Sequence, residues 1–397
     1  MKAWLISVLS TSIAVLFSTE LVYPKRTTSA ITTFPPEKAS TDNPLQKPVD
    51  FVVEQAAQQF MAAPQTVGLS IGIFKDGQTY VYNYGTVEKD SQQLPTGQTI
   101  YPIASISKTF TGALLAQAVL EKKVKLGDDI RQYLPGDFPN LTYQGQPIRL
   151  FHLINHRSGL PFMLPDRPDA FSDTSIPSSA IATELLQNYT QQDFYADLRN
   201  VRLDNAPGYT FRYSNAGAQL LGYILERVYK TPFEDLVQQK LTQALDMNQT
   251  KITLSTSEQA RFAPGYNCNG IQMPPIPDQL QGAAALKSTV TDMLKYVQWN
   301  VAEQAEAARL AHRSTWGDSN RYSAGLNWQM LNVAGYRAIW QDGNIPGFSS
   351  LCVNYPELNM GIVILSNECD RSTASRVATL ANQIAKTLDE RAVTLPN

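Results

Sequence analysis

Residues 66–85 read TVGLSIGIFKDGQTYVYNYG. Two β-rich runs, Thr66–Phe74 and Thr79–Gly85, flank Lys75-Asp76-Gly77-Gln78. Asp-Gly between such runs predicts a tight hairpin, because both residues tolerate the positive φ that the turn demands. The first run also contains Gly68-Leu69-Ser70-Ile71-Gly72, the Gly-x-Ser-x-Gly pattern of a nucleophile elbow. That motif needs a strand, a sharp turn and then a helix. Here Ser70 lies inside an alternating strand with a hairpin after it, so the stretch reads as ordinary strand.

Outward from the hairpin, Val52–Met61 reads as a helix, and an apolar helix runs from about Ser105 to Lys122. Residues 150–285 change character. Helical stretches at 179–189, 215–229 and 233–245 alternate with Pro-rich loops, and Ala285–Asn300 reads as another helix. Strands return at Tyr322–Leu331, Tyr336–Gln341, Ser349–Tyr355 and Met360–Leu365, and an amphipathic helix at about 372–388 closes the chain. The pattern predicts an α+β fold: one antiparallel sheet flanked by the N- and C-terminal helices, with an inserted all-helical domain. The expected division is 51–150 and 286–397 for the two parts of the α/β domain and 151–285 for the helical domain.

The 397 residues suit two or three domains or one fold with a large insertion. A hydrophobic share of 43% supplies a sizeable core and excludes a mostly disordered chain. Lys+Arg 33 against Asp+Glu 35 leaves no basic excess to hold nucleic acid. Met1-Lys2 precedes an apolar run, Ala3–Phe17, of the length of a signal-peptide core. Residues 1–30 are therefore expected to be a signal peptide, or a membrane anchor if uncleaved. A Pro-, Thr- and Ser-rich stretch reads as a linker, 31–50, behind it. Export, to the periplasm or the cell exterior, is the expectation. The three Cys exclude a disulfide scaffold and an all-cysteine zinc site. Cys268–Cys369 is the preferred bridge of this odd set, and Cys352 reads as core.

No metal or other cofactor is expected. His152 and His156 have i, i+4 spacing, but the run is His-Leu-Ile-Asn-His, without the Glu of a zinc-protease motif. Hydrogen-bonded structural histidines are the better reading. Ser105-Ile106-Ser107-Lys108 is sharper: a Ser three residues before a Lys shares its helix face. Burial of that face disfavours the ammonium and makes the amine able to take the Ser proton. First-turn N–H groups there could hold an oxyanion. The plain alternative is a helix cap followed by a solvated Lys. Tyr213-Ser214-Asn215 sits where an extended run gives way to a helix. Its phenol can relay protons and its amide can bind a substrate amide, or the pair is an aromatic core residue and an Asn cap. Trp340–Ser350 (WQDGNIPGFSS) could lay a strand edge against a substrate carbonyl, although alone it reads as a Gly/Pro-rich hairpin loop.

In this order the three elements resemble the penicillin-recognising serine hydrolases: class C β-lactamases, D-alanyl-D-alanine carboxypeptidases and endopeptidases, and related esterases. Their signature is Ser-x-x-Lys, then Tyr-x-Asn, then Lys-Thr-Gly or His-x-Gly. The likeness covers about residues 48–390 and includes Leu153–Pro161, Pro207–Asn215 and Gly347–Ser350. It implies that Ser105 is acylated, that Lys108 is the general base or tunes it, and that Tyr213 protonates the leaving group. It further implies that Asn215 holds the substrate amide and that the Ser105 and Asn344 backbone N–H groups form the oxyanion hole. Gln341 and Gly343 fall in the third motif as substrate-binding positions.

This chain departs from the pattern there. Gln341 stands where relatives have Lys or His, and Asp342 where many have Thr. One positive charge is lost beside Tyr213, which favours neutral Lys108 over a phenolate as the base. An Asp also repels the carboxylate of penicillins and of terminal D-Ala. The expected activity is hydrolysis of peptide-like amides or esters with uncharged termini, with a small-molecule or cell-wall peptide substrate. The alternatives are a small-ester hydrolase and a catalytically silent penicillin-binding or sensor module.

Overall fold

The computed structural model describes residues 38–396 apart from 65, 172–175, 276, 370 and 371; the expected signal segment lies outside the described residues. Among them, no helix is long and apolar enough to cross a membrane. The end of the expected linker is tied down. Thr41 bridges Tyr84, and Asn43 Nδ2 donates to the Asp50 carbonyl and to Tyr84 Oη, each at 2.8 Å.

Helix α1 (Pro48–Met61) opens on a proline, where a missing N–H costs nothing. The Asp50 carboxylate accepts from the Gln46 and Lys47 N–H groups at 2.8 Å and fixes the entry. Strands β1 (Gly68–Lys75) and β2 (Gln78–Gly85) follow. Asp76 and Gly77 turn between them at φ +51° and +84°, the hairpin expected from the sequence. The C-terminal strands are β3 (Trp316–Gly317), β4 (Tyr322–Ala324), β5 (Gln329–Val333), β6 (Tyr336–Ile345), β7 (Phe348–Tyr355) and β8 (Met360–Ser366). All eight form one antiparallel sheet in the order β2-β1-β8-β7-β6-β5-β4-β3. Ile71 pairs with Tyr82 on one side and Ile364 on the other, so the first hairpin is joined to the end of the chain.

Alternation along each strand sends side chains to two cores. Leu69, Ile71, Ile73 and Ile362 meet Val53 and Phe60 of α1 and Leu380 and Ile384 of α5 (Thr373–Leu388). On the other face Val363 and Leu365 share a core with Phe110 and Leu114, from Ser107–Leu120 (α2), and with Leu294 and Val297, from Val290–Ala302 (α4). Glycines let α4 lie close: a Cβ on Gly361 would stand 2.3 Å from Val297 Cγ1, and one on Gly72 would stand 2.8 Å from Leu294 Cγ. Helix α3 (Asn215–Tyr229) packs against α2 and brings in the helical middle of the chain. This is the α+β arrangement expected, with N- and C-terminal helices together on one face.

Four local expectations are corrected. The strand expected over Tyr322–Leu331 is two strands, because the chain turns at 325–328 with Asn327 at φ +60°. The strand expected to stop at Gln341 runs on to Ile345, and only Pro346-Gly347 turn. The helix expected from Ala285 starts at Val290, since Lys287–Thr289 pair with Ile100–Pro102. Cys268 and Cys369 are not bridged: Cys268 is exposed at a surface turn, whereas Cys369 is buried with Sγ 3.9 Å from Asn344 Oδ1. Cys352 is core, as expected.

Candidate active site

Three pieces of chain meet beside the end of β6 that runs past its pairing with β5. The first is the entry to α2. Ala104 takes φ +48°, unusual for a residue with a Cβ, and Ser105 follows in a short 3-10 turn, Ala104–Ile106, that leads into α2. One turn on, the Lys108 side chain is fully buried, with Nζ 2.9 Å from Ser105 Oγ and 2.8 Å from the Ala283 carbonyl. Burial pushes its pKa down to about 7; the nearby Asp342 carboxylate works against that fall.

The second piece is the corner before α3. Tyr213 Oη donates to Ser105 Oγ at 2.7 Å, and Lys108 Nζ lies 5.0 Å from the phenol ring centre. Burial raises this phenol's pKa; the Ser105 hydrogen bond lowers it and Asp342 raises it further. Ser214 fixes the corner by accepting from Gly217 N–H at 2.9 Å, as an N-cap, and donating to the Pro161 carbonyl at 2.6 Å. Asn215 is the first residue of α3, with its buried side chain in the cleft wall. The His156 ring lies 4.3 Å from that of Tyr213, tilted by 34°, and accepts the Ser214 N–H at Nδ1. Burial, then the Lys108 charge, drive its pKa down to about 3, so the ring is neutral. His152 Nδ1 accepts the Arg149 N–H at 3.1 Å. Both histidines thus serve backbone amides, in agreement with a structural reading.

The third piece is β6. Gly343 lies against the 103–105 backbone: a Cβ there would stand 2.7 Å from the Ile103 carbonyl and 2.9 Å from Ala104 Cβ. No other residue type fits this approach. Ser350 Oγ, one strand over, donates to the same Ile103 carbonyl at 2.9 Å. Gln341 does not extend like a Lys; its Nε2 donates to the Asp342 carbonyl at 2.9 Å. Asp342 lines the cleft and accepts from Gln329 Nε2 at 3.4 Å and Asn344 Nδ2 at 3.1 Å. Burial raises its carboxyl pKa, and Lys108 pulls it back. Asn344 is exposed at the cleft rim.

All seven residues singled out from the sequence thus surround one site: Ser105, Lys108, Tyr213, Asn215, Gln341, Gly343 and Asn344. Two cavities open from Ser105, Asn215 and Asn344. One, of about 410 Å³, includes Tyr213 and Asp342; the other, of about 300 Å³, is walled by apolar residues such as Met163, Leu186 and Leu280. Sequence reasoning missed two participants. Asn327 Nδ2 donates to the Lys108 carbonyl at 2.8 Å, and the Ala283 carbonyl anchors Lys108 Nζ. A backbone acceptor leaves no side-chain signal, and an Asn in a turn has none beyond its turn preference. Among the described residues no cluster of His, Cys, Asp and Glu could hold a metal ion.

The chain is 25% identical over 380 residues to the beta-lactamase of Pseudomonas fluorescens, covering 85% of this chain and 98% of the relative. It is 27% identical over 361 residues to the beta-lactamase of Escherichia coli K12, covering 81% and 89%. A crystal structure of a beta-lactamase/D-alanine carboxypeptidase from Yersinia pestis, complexed with citrate, superposes with a TM-score of 0.72. At 22% identity, over 86% of this chain and 98% of that one, this likeness speaks for the fold. The family model described as Beta-lactamase matches residues 53–386, from α1 through all three pieces of the cleft into α5, and the chain belongs to that family of serine hydrolases.

Proposed function

We propose that Ser105 is the nucleophile of an acyl transfer and that Lys108, in its neutral form, is the base. The observation that carries this reading is the convergence on one hydroxyl: Lys108 Nζ at 2.9 Å and Tyr213 Oη at 2.7 Å from Ser105 Oγ. With Lys108 as an ammonium, Ser105 Oγ faces two donors and has no acceptor for its own proton. With Lys108 neutral, the same contact reverses and the amine lone pair receives that proton. Attack by Oγ makes a tetrahedral oxyanion, held by the backbone N–H groups of Ser105 and Asn344. The bond to the leaving nitrogen or oxygen then breaks, and Tyr213, recharged from Lys108, protonates it. Water, activated by the same pair, attacks the ester and regenerates Ser105. Asn215 holds the substrate amide. The raised phenol pKa supports a proton-relaying Tyr213 over a standing phenolate.

The substrate class follows from β6. Lys or His at 341 is replaced by a Gln folded back on its neighbour, and a carboxylate occupies 342. A substrate carboxylate would meet negative charge. The enzyme is therefore an exported hydrolase of peptide-like amides or esters whose leaving half carries no carboxylate; export rests on the Ala3–Phe17 run. Turnover should be compared on an aryl ester, an acylated D-Ala-D-Ala with an amidated C-terminus, and the same peptide with a free carboxylate. The two carboxylate-free substrates should be turned over at least about tenfold faster than the third, a difference of about 1.4 kcal/mol. Equal or faster turnover of the free carboxylate would overturn this assignment.

A further inference from the structure

The two cavities that meet at Ser105 differ in chemistry, and the difference sorts the two halves of a substrate. Tyr213, which delivers the proton to the leaving atom in the reading above, lines the cavity that holds Asp342 and is absent from the apolar one. The leaving half of the substrate therefore occupies the Asp342 cavity and the acyl half the apolar cavity.

The leaving-half cavity is charged in one sense only. Its lining contains no Lys or Arg, and its one His, His156, is neutral because its pKa has fallen to about 3. Asp342 is its single carboxylate. That carboxylate is hydrogen-bonded to two neutral amides, and among the described residues no Lys or Arg pairs with it. The Lys108 amine, the neutral base of the reading above, is taken up by Ser105 Oγ and the Ala283 carbonyl.

A second observation is independent of the charge. The aromatic residues Phe211 and Tyr322 line the same cavity. A protonated primary amine brings the positive charge that this wall lacks, and aromatic faces attract such a group.

We propose that this cavity is a subsite for an ammonium group on the leaving half of the substrate, held by Asp342 beside the aromatic residues Phe211 and Tyr322. The proposal rests on the acyl-transfer reading for the assignment of halves. It changes the substrate class from merely uncharged to cationic on the leaving side, as in amides or esters of diamines, amino alcohols or lysine-like residues. Asp342 is a specificity-determining residue in this account.

The test uses three hexanoate esters that share an acyl group suited to the apolar cavity: 4-(aminomethyl)phenyl, 4-ethylphenyl and 4-(carboxymethyl)phenyl. The ammonium ester should exceed the ethyl ester in kcat/KM by about tenfold, the size expected of one charge-assisted hydrogen bond. The carboxylate ester should be slowest. Asp342→Asn should bring the ammonium-to-ethyl ratio to about 1–2, with a cooperative thermal transition showing that the variant is folded. A ratio near one in the unmodified enzyme, or a preference that survives Asp342→Asn, would overturn the proposal. Equilibrium binding of the same esters to Ser105→Ala separates the two layers. Preferred binding of the ammonium ester without turnover by the unmodified protein would uphold the subsite and fault the hydrolase reading. Turnover without preference would do the reverse, and neither would sink both.

Discussion

Lys108 carries the proposed chemistry at the residue scale. A buried amine with a pKa near 7 is a base that is active when unprotonated. The acid limb of kcat/KM should therefore have its midpoint near pH 7, with activity falling as pH drops below it. Asp342 raises the Lys108 pKa by favouring the ammonium. Asp342→Asn removes that effect, so the limb should move to lower pH; a shift to higher pH in the measured profile would contradict the assignment. The carboxyl at 342 is also the residue that most separates this cleft from its resemblance. Gln341→Lys combined with Asp342→Asn should raise turnover of carboxylate-bearing substrates, and no change in a steady-state assay would count against the charge argument. Ser105, Lys108 and Tyr213 were legible because their spacing and context tie chemistry to sequence. Asn327 and the Ala283 carbonyl were not, since only the folded chain brings them to Lys108.

At the scale of elements, two glycines on the sheet should behave differently when given a methyl group. Gly361 faces α4, and a Cβ would press on Val297 Cγ1 at 2.3 Å. Gly361→Ala should cost about 1–3 kcal/mol of stability by overpacking, read as a lowered Tm, while the catalytic rate of the folded fraction stays close to that of the parent. Gly343 holds β6 against the 103–105 backbone. Gly343→Ala should displace the strand proposed to bind the oxyanion and lower kcat/KM by about a hundredfold, since small misplacements of reacting groups have effects of that order. The reverse pattern in calorimetry and kinetics would mean that the roles of the two strands are misassigned. The hairpin of β1 and β2 was readable because Asp-Gly announces its own turn. The reach of β6 was not, because Gly343-Asn344 resembles a loop until a neighbouring backbone explains the missing side chain. The 322–331 segment was misread for a related reason: β-rich composition does not reveal a break imposed by a turn at Asn327. The preferred Cys268–Cys369 bridge was misread as well: Cys268 is exposed and Cys369 buried, a difference that the sequence does not display.

For the whole molecule, the long-range pairing of β1 with β8 decides the architecture. Alternation in the strands made the α+β class legible, and amphipathic α1 and α5 marked what covers one face. Pairing order is a long-range choice that single-sequence patterns leave open. Helix α5 buries Val377, Leu380 and Ile384 in the core that it shares with α1 and the sheet, far in sequence from the cleft residues. A chain ending at Ser372 should fail to fold, seen as loss of a cooperative thermal transition and of Ser105 reactivity, although every cleft residue is still present. Retained reactivity would show that the cleft is independent of this layer. The central claim is that one hydroxyl is activated by one buried amine. Its most direct check is the intact mass of the protein after brief exposure to a fluorophosphonate at pH 8. The unmodified chain should gain a single adduct on Ser105, Lys108→Ala should gain it at least about a hundredfold more slowly, and Ser105→Ala should gain none. An adduct that persists in Ser105→Ala, or forms as fast in Lys108→Ala, would contradict the account.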